Sequence, residues 1–244
     1  MPFFCKALES KYMKIHRFFV KEIIEKNDEL VITDVDIIHQ IKNVLRLQKG
    51  VSVVLLDGSG KEYFGKVKII LKSESIFSKE KIKSNPQDIH ITNLYFSIPK
   101  KDKAEWILQK CTELGVNNFI PVISDRTEKI NLKKERAEVI IKEAAEQSEK
   151  MFLPVFHETV KLEDSLVGLK SDETFYLELG VENIDIKKLK DKLSLNIFVG
   201  PEGGWSEKDK EIFAKFNIKS YSLGDFVLRA ETASVAIISA LKIN

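Results

Sequence analysis

The sequence predicts an α/β protein in which a mostly parallel sheet, covered by helices, follows a smaller antiparallel β-barrel or sheet. From Val51 the chain reads VSVVLLDGSGKEYFGKVKIIL, two β-rich runs joined by a tight-turn sequence. Beyond Asn85-Pro86 the pattern becomes apolar β-like runs alternating with amphipathic helical stretches, which argues for parallel strands with helical crossovers. The intervening stretch Lys72–Gln87 is polar, so the boundary is set there, with domains over 13–85 and 86–244.

The first twelve residues, MPFFCKALESKY, precede a second methionine, Met13, and are read as an upstream start or an extension. Thr33 is the expected N-cap of a short helix carrying Val35, Ile38 and Ile41, which runs on through Arg46 to a turn at Gly50. Asp57-Gly58-Ser59-Gly60 closes the hairpin, because glycine and aspartate tolerate positive φ. In the second domain a strand is expected around Ile89–Ile98 and a helix over Asp102–Leu114, stopped by Gly115. Another strand should follow over Phe119–Ile123. On that helix Ala104, Ile107, Leu108, Cys111 and Leu114 share one face, which makes Cys111 a core residue. Asn131 should cap the next helix, with Leu132, Val139, Ile140 and Ala144 apolar, and β-like runs follow at Thr174–Leu179, Asn196–Val199 and Ile218–Leu223. An apolar helix from Ser234 to Leu241 ends the chain.

With 244 residues, 43% of them hydrophobic, the chain can bury a sizeable core as one large or two small domains. No run approaches the roughly 20 apolar residues of a membrane span, and no secretion signal begins the chain, so the expectation is a soluble, cytoplasmic protein. Cys5 and Cys111 are too few for a disulfide framework, and the four histidines have no ligand spacing; no metal is expected. Residues 1–85 carry 16 Lys/Arg against 11 Asp/Glu, whereas 86–244 carry 23 against 26. The N-terminal part is thus the better partner for an anionic polymer, although a lysine-decorated solvated surface has the same balance.

Three of the eleven glycines fall within Gly200-Pro201-Glu202-Gly203-Gly204, directly after an apolar strand and before Ser206, a helix N-cap with Asp209 three residues on. Glycines there let a ligand approach the backbone at the carboxyl end of a strand; an ordinary strand-to-helix turn would read the same way. The segment has neither the phosphate-loop nor the dinucleotide pattern, which disfavours a nucleoside triphosphate or NAD. A second polar cluster, Gly224 to Ala233, contains Arg229 and Glu231, a pair that by itself is more often a helix cap or ion pair than a catalytic pair.

Together, GPEGGWSEKDKE and, about twenty residues later, LGDFVLRAETA resemble the end of the ribosomal RNA small subunit methyltransferase E family, of the SPOUT class of knotted methyltransferases. The resemblance runs from Met13 through HRFFV (His16–Val20), HQIKNVLRLQKG (His39–Gly50), KDKAEWILQKCTELGV (Lys101–Val116) and EAAEQSEKMFLP (Glu143–Pro154). It implies a PUA-like RNA-binding β-barrel over 13–85, a SPOUT α/β domain with a trefoil knot over 86–244, and a homodimer acting on 16S rRNA of the small ribosomal subunit. It further implies S-adenosylmethionine as cofactor. Val199, Gly200, Pro201, Glu202, Gly203 and Gly204 would hold it from one loop, and Leu223, Gly224, Val227, Leu228 and Arg229 from the next.

The implied reaction is methylation of uridine at N3. Arg229 is the candidate for stabilising charge on the uracil oxygens, and Glu231 or Glu202 for orienting the base or accepting its proton. Arg17, His39, Lys42 and Arg46 are candidate RNA contacts, with solvated surface or local caps as the other reading. Lys150 is a further candidate; the family more often has arginine there, whose planar fork lysine does not reproduce. Two rival expectations are a non-catalytic RNA-binding assembly protein that has lost the cofactor, against which the glycines at 200, 203 and 204 speak, and a related knotted methyltransferase acting on transfer RNA or a ribose hydroxyl.

Overall fold

A computed structural model describes residues 15–84, 90–99, 101–127 and 132–243. Its contacts divide the chain into two units after Gln87.

The N-terminal unit contains β1 (His16–Phe19), β2 (Ile24–Lys26), β3 (Glu29–Ile32), α1 (Val35–His39, continued by a π-helical turn Gln40–Val44), β4 (Ser52–Leu56), β5 (Lys61–Ile70) and β6 (Ser75–Ser84). They form one sheet in the order β1-β4-β5-β6-β3-β2. The expected hairpin is β4–β5. Its turn is tied by the Asp57 carboxylate, which accepts from the Ser59 N–H at 2.9 Å, the Ser59 hydroxyl at 2.6 Å and the Tyr63 hydroxyl at 3.2 Å. The sheet is not purely antiparallel: β1 runs parallel to β4. The reason is connectivity, since β2, β3 and α1 supply the long crossover that a parallel pair requires. Alternate residues of five strands, among them Phe18, Leu30, Val53, Val67 and Phe77, share one core with Ile37 and Ile41 of the helical segment. Irregular register at Phe64/Gly65 bends the long β5–β6 pair, and a Cβ at Gly65 would lie 2.0 Å from the Ser78 carbonyl oxygen.

The cap of α1 is Asp34, not Thr33; its carboxylate accepts from the N–H groups of Asp36 and Ile37 at 3.0 and 3.3 Å. This one-residue shift turns Val35 outward, 71% exposed, and buries Ile37 with Ile38 and Ile41.

In the C-terminal unit the elements are β7 (Ile91–Ser97), α2 (Lys101–Leu114), β8 (Asn118–Ile123), α3 (Lys134–Gln147), β9 (Val155–Phe156), β10 (Val160–Lys161), α4 (Leu162–Leu166), β11 (Glu173–Leu177), α5 (Ile186–Lys190), β12 (Ser194–Val199), α6 (Glu207–Lys215), β13 (Lys219–Tyr221) and α7 (Ala230–Lys242). Their sheet is parallel throughout, in the order β10-β8-β7-β12-β11-β13, with β9 on β8. Because side chains alternate along a strand, Leu94 and Phe96 join the core under α2, α3, α5 and α7. Tyr95 joins a second core with Phe198, Trp205, Phe213 of α6 and Leu162 and Leu166 of α4. Cys111 is fully buried in the first core, and burial pushes its thiol far above the usual range.

Three local expectations are corrected. The cap expected at Asn131 lies outside the described residues, and the N-cap position of α3 is Lys133, which makes no side-chain cap. Val139 is 45% exposed, because the buried stripe of α3 runs through Ala137, Ile140, Ile141, Ala144 and Ala145 and leaves 139 between its rows. Finally, α7 starts at Ala230, four residues before Ser234. Its polar first turn is compatible with a helix because the opening N–H groups have no intrahelical carbonyl to meet and favour polar and acidic neighbours.

Candidate active site

The loops that leave the carboxyl ends of β11, β12 and β13 enclose a pocket of about 280 Å³, closed on one side by Ala230 and Ala233 of α7. Carboxyl ends of parallel strands are where open α/β sheets collect their ligands. The β12 loop is shaped by Trp205. Its indole N–H donates to the Leu177 carbonyl at 3.1 Å, and its ring stands edge-on to Phe213 at 5.0 Å. A Cβ on Gly200 would come within 3.1 Å of that ring, so any larger residue at 200 would press on the tryptophan. The Gly204 N–H donates to the Pro201 carbonyl at 2.8 Å, and Gly204 itself adopts φ +68°. In the β13 loop the Ser222 hydroxyl donates to the Gly224 carbonyl at 2.8 Å, and the Ser222 N–H donates to the Glu182 carbonyl at 2.8 Å. The capping box of Ser206 and Asp209 starts α6 as the sequence predicts.

Beside the pocket one cation joins two carboxylates from distant segments. Lys103 Nζ lies 3.5 Å from Glu202 Oε1 and 3.7 Å from Glu231 Oε1. Glu231 sits in the first turn of α7, and its other oxygen, Oε2, is buried with no hydrogen-bond partner in the structure. A dry, unpaired carboxylate oxygen is costly unless something completes it. Arg229, at the N-cap of the same helix, is exposed; its carbonyl accepts from the Ala233 N–H at 2.8 Å, while its guanidinium forms no hydrogen bond or ion pair with the described residues.

Every residue of the two segments expected to hold a cofactor lines the pocket except Gly203 and Arg229. The Gly203 carbonyl instead accepts from the Arg126 guanidinium. Leu177, Glu178, Leu179, Trp205, Ser222 and Phe226 also line it, and Lys103 stands beside it, although none of them stands out as a site residue in the sequence. Trp205 and Phe226 lay inside the quoted motifs, and Lys103 opens the apolar helix pattern at a polar position; their sequence neighbours gave no sign of what they meet.

Among the candidate RNA contacts, His39 and Lys42 are exposed on the helical segment of the N-terminal unit and Arg46 is exposed just beyond its end, at φ +48°. Arg17 is different: its guanidinium is paired with Glu62, whose side chain is only 4% exposed. Lys150 Nζ lies 3.5 Å from the position a Cβ on Gly115 would take, at the C-terminal end of α2. No helix among the described residues is long and apolar enough to cross a membrane, and no group of three or more potential metal ligands occurs among them.

Comparison with known proteins agrees with this geometry. Residues 83–242 match the RNA methyltransferase domain family and residues 27–80 the RNA methyltransferase PUA domain. The chain is 30% identical to the ribosomal RNA small subunit methyltransferase E of Aquifex aeolicus, over 93% of this chain and 99% of that one. It is 29% identical to the protein of the same name from Rickettsia conorii, over 95% and 96%. The crystal structure of the Neisseria gonorrhoeae ribosomal RNA small subunit methyltransferase E bound to S-adenosyl methionine superposes with a TM-score of 0.83 at 26% identity, covering 93% of this chain and 96% of that one.

Proposed function

The chain belongs to the ribosomal RNA small subunit methyltransferase E family, and from that premise we propose that it methylates N3 of a uridine in 16S rRNA, with S-adenosylmethionine, as a cytoplasmic homodimer. The observation that carries the reading is the pocket at the strand ends with the Lys103-linked glutamates beside it. Its make-up suits the cofactor: Leu179, Val199, Leu223 and Val227 offer apolar surface to a flat ring, and the turn backbones supply polar groups. When bound, the cofactor supplies a methyl group on a positively charged sulfur, already a good leaving group, so alignment is the chain's main task.

Uridine N3 bears a proton between two carbonyls and becomes nucleophilic once that proton leaves or the anion is stabilised. Glu231 Oε2, dry and unpaired, is suited to accept the N3 proton or its hydrogen bond, while Lys103 steadies Oε1. Glu202 is a second acceptor on the same lysine. The Arg229 guanidinium, with no partner among the described residues, is suited to the charge that builds on the uracil oxygens. In the N-terminal unit His39, Lys42 and Arg46 are the proposed RNA contacts, with Arg17 ordering the sheet through Glu62 and Lys150 contributing from the catalytic unit.

The trefoil knot is part of the reading. Its support is that β12 lies inside the sheet although the chain goes on to β13 beyond β11, and α7 then packs back on α2 and β12. Support for a homodimer comes from Phe226 and Val227, 84% and 83% exposed beside the pocket, an apolar surface that a second copy would cover.

The test is methyl transfer from labelled S-adenosylmethionine to small ribosomal subunits from cells lacking this gene, followed by nucleoside analysis. Label in 3-methyluridine is expected. Label only in transfer RNA or on ribose would reassign the substrate, and cofactor binding with no transfer to any RNA would overturn the reaction. Full turnover at saturating cofactor with alanine at Arg229, Glu202 and Glu231 would overturn the residue roles.

A further inference from the structure

A second cavity in the C-terminal unit, about 540 Å³, has a floor made of amides. Parallel register brings Asn118 of β8, Asn93 of β7 and Asn196 of β12 side by side. Their carboxamides form a one-way chain. Asn118 Nδ2 donates to Asn93 Oδ1 at 2.7 Å, Asn93 Nδ2 to Asn196 Oδ1 at 2.7 Å, and Asn196 Nδ2 to the Ser171 and Thr174 hydroxyls at 2.9 and 3.1 Å. His157 Nε2 lies 2.9 Å from Asn118 Oδ1, and since that oxygen only accepts, the imidazole carries its proton on Nε2. A primary amide has two N–H donors, so Asn93 and Asn118 each keep one outside the chain.

Tyr95 supplies the observation that points to a ligand. The residue is 7% exposed and its ring is held against Phe198 at a centroid distance of 4.2 Å. It lines the cavity, yet its hydroxyl makes no hydrogen bond with any described residue. Burial raises the phenol above its ordinary pKa, so the group stays an O–H donor. The ring is held while the hydroxyl reaches the open space of the cavity, where it is free to donate to a molecule that enters.

The chemistry of the walls defines the occupant. The floor is neutral and offers donors and acceptors; Ile120, Val160 and Leu169 are apolar; Lys170, His157 and Glu158 are exposed at the mouth, where the Glu158 carboxylate is paired with Lys134 at 2.7 Å. A zwitterion or a multiply charged ion has no counter-charge on that floor. A flat, neutral heterocycle with polar edges does match it, and asparagine amides are good readers of such edges. We propose that this cavity is a second binding site, for the base of a nucleotide whose phosphate meets Lys170. It is separate from the methyl-transfer site: Asn196 precedes Val199 by three residues, about 10 Å along β12, and the floor lies towards the amino ends of the strands.

The nucleotide has two sources, a free mononucleotide or one residue of a bound RNA. The experiment titrates AMP, UMP, GMP and CMP, and separately a short single-stranded RNA, into the full-length protein with the cofactor pocket saturated by S-adenosylhomocysteine. Failure of S-adenosylhomocysteine to bind would count against the cofactor reading alone. Wild type is compared with Tyr95→Phe and with Lys170→Ala, an exposed change that leaves folding intact. The expected result is binding of at least one ligand, weakened about fivefold by loss of the tyrosine hydroxyl and also weakened by Lys170→Ala, with cofactor affinity unchanged. Effects on the mononucleotides identify a free ligand; effects on the RNA alone identify a nucleotide of the substrate. Ligand and RNA affinities untouched by both variants, or no binding at all, overturn the proposal.

Discussion

Alanine substitutions at the three glycines after β12 separate two reasons for having glycine there. If these glycines serve close approach of a ligand, each alanine should weaken cofactor binding and leave stability alone. The structure assigns them different duties. At Gly200 an added Cβ meets the Trp205 ring at 3.1 Å to both Cε2 and Nε1 and 3.3 Å to Cδ2, a few tenths of an ångström too close. The indole cannot simply swing away, because it is 6% exposed, bonded to Leu177 and packed on Phe213. Overpacking by one carbon in such a place costs about 1–3 kcal/mol, which for a unit of this size lowers Tm by roughly 2–12 °C. At Gly204 there is open space but φ is +68°, so alanine costs about 1–2 kcal/mol of backbone strain with no clash. At Gly203 the new Cβ would make ordinary contact with Arg126 Cδ at 3.5 Å, and φ is not positive, so the change should stay within about 0.5 kcal/mol. Urea unfolding followed by tryptophan fluorescence, with cofactor affinity by calorimetry, gives the order. Gly200→Ala as stable as wild type, or Gly203→Ala the most damaging of the three, would refute the packing account.

Three further outcomes follow from the contacts of Lys103, Tyr63 and Cys111. Lys103→Met should cut kcat by up to about 100-fold, the cost of misplacing reacting groups by an ångström, while Lys103→Arg recovers part of it and cofactor affinity changes little; equal turnover in all three would remove Lys103 from the site. Burial first, and then the charge and hydrogen bond of Asp57, push the Tyr63 phenol up to about 12, above its unfolded value near 10. A raised folded pKa means that its contribution is complete below pH 10 and is lost as pH rises towards 12, so the N-terminal unit should weaken across that window. Tyr63→Phe should flatten the alkaline slope and lose about 0.5–1.5 kcal/mol at neutral pH, both readable from denaturant midpoints against pH. In a Cys5→Ser background, Cys111 should resist a thiol reagent in the native protein and react on unfolding, since it is fully buried and burial holds it as the thiol; rapid native labelling would contradict that environment.

Much of the fold was legible because the signals were local. The β4–β5 hairpin is written in Asp57 to Gly60, the stop of α2 in Gly115, and the start of α6 in Ser206 and Asp209; in each case the deciding contacts lie within a few residues. Even local signals slip by one position when two good caps are adjacent, as Thr33 and Asp34 are. The parallel pairing of β1 with β4 was not legible, because it depends on which strand the chain returns to after three intervening elements. Arg17 illustrates the same limit in the site. Among basic residues of a positively charged segment it reads as an RNA contact, but its partner, Glu62, lies 45 residues away and is buried. No periodicity reports such a pair.

The segments proposed to hold the cofactor were singled out by resemblance, and the structure explains why glycine spacing alone would have misled. Gly200 answers to an indole, Gly203 presents a carbonyl to Arg126, and Gly204 supplies a positive φ; only the last is a backbone duty of the turn itself. What makes the region chemically distinctive is a meeting that the linear motifs do not encode: Lys103 stands 99 residues before Glu202 and more before Glu231, yet touches both. The exposed ion pairs elsewhere, such as Lys134 with Glu158, leave both partners in water and contribute little. The Lys103 group is different in kind, since Glu231 is 14% exposed and keeps one oxygen dry and unpaired after the lysine has taken the other. Folding alone would favour a paired or solvated carboxylate at that position. Retaining an unsatisfied one, in the first turn of the helix that walls the proposed cofactor pocket, is what a site requires when its missing hydrogen bond is to come from the substrate.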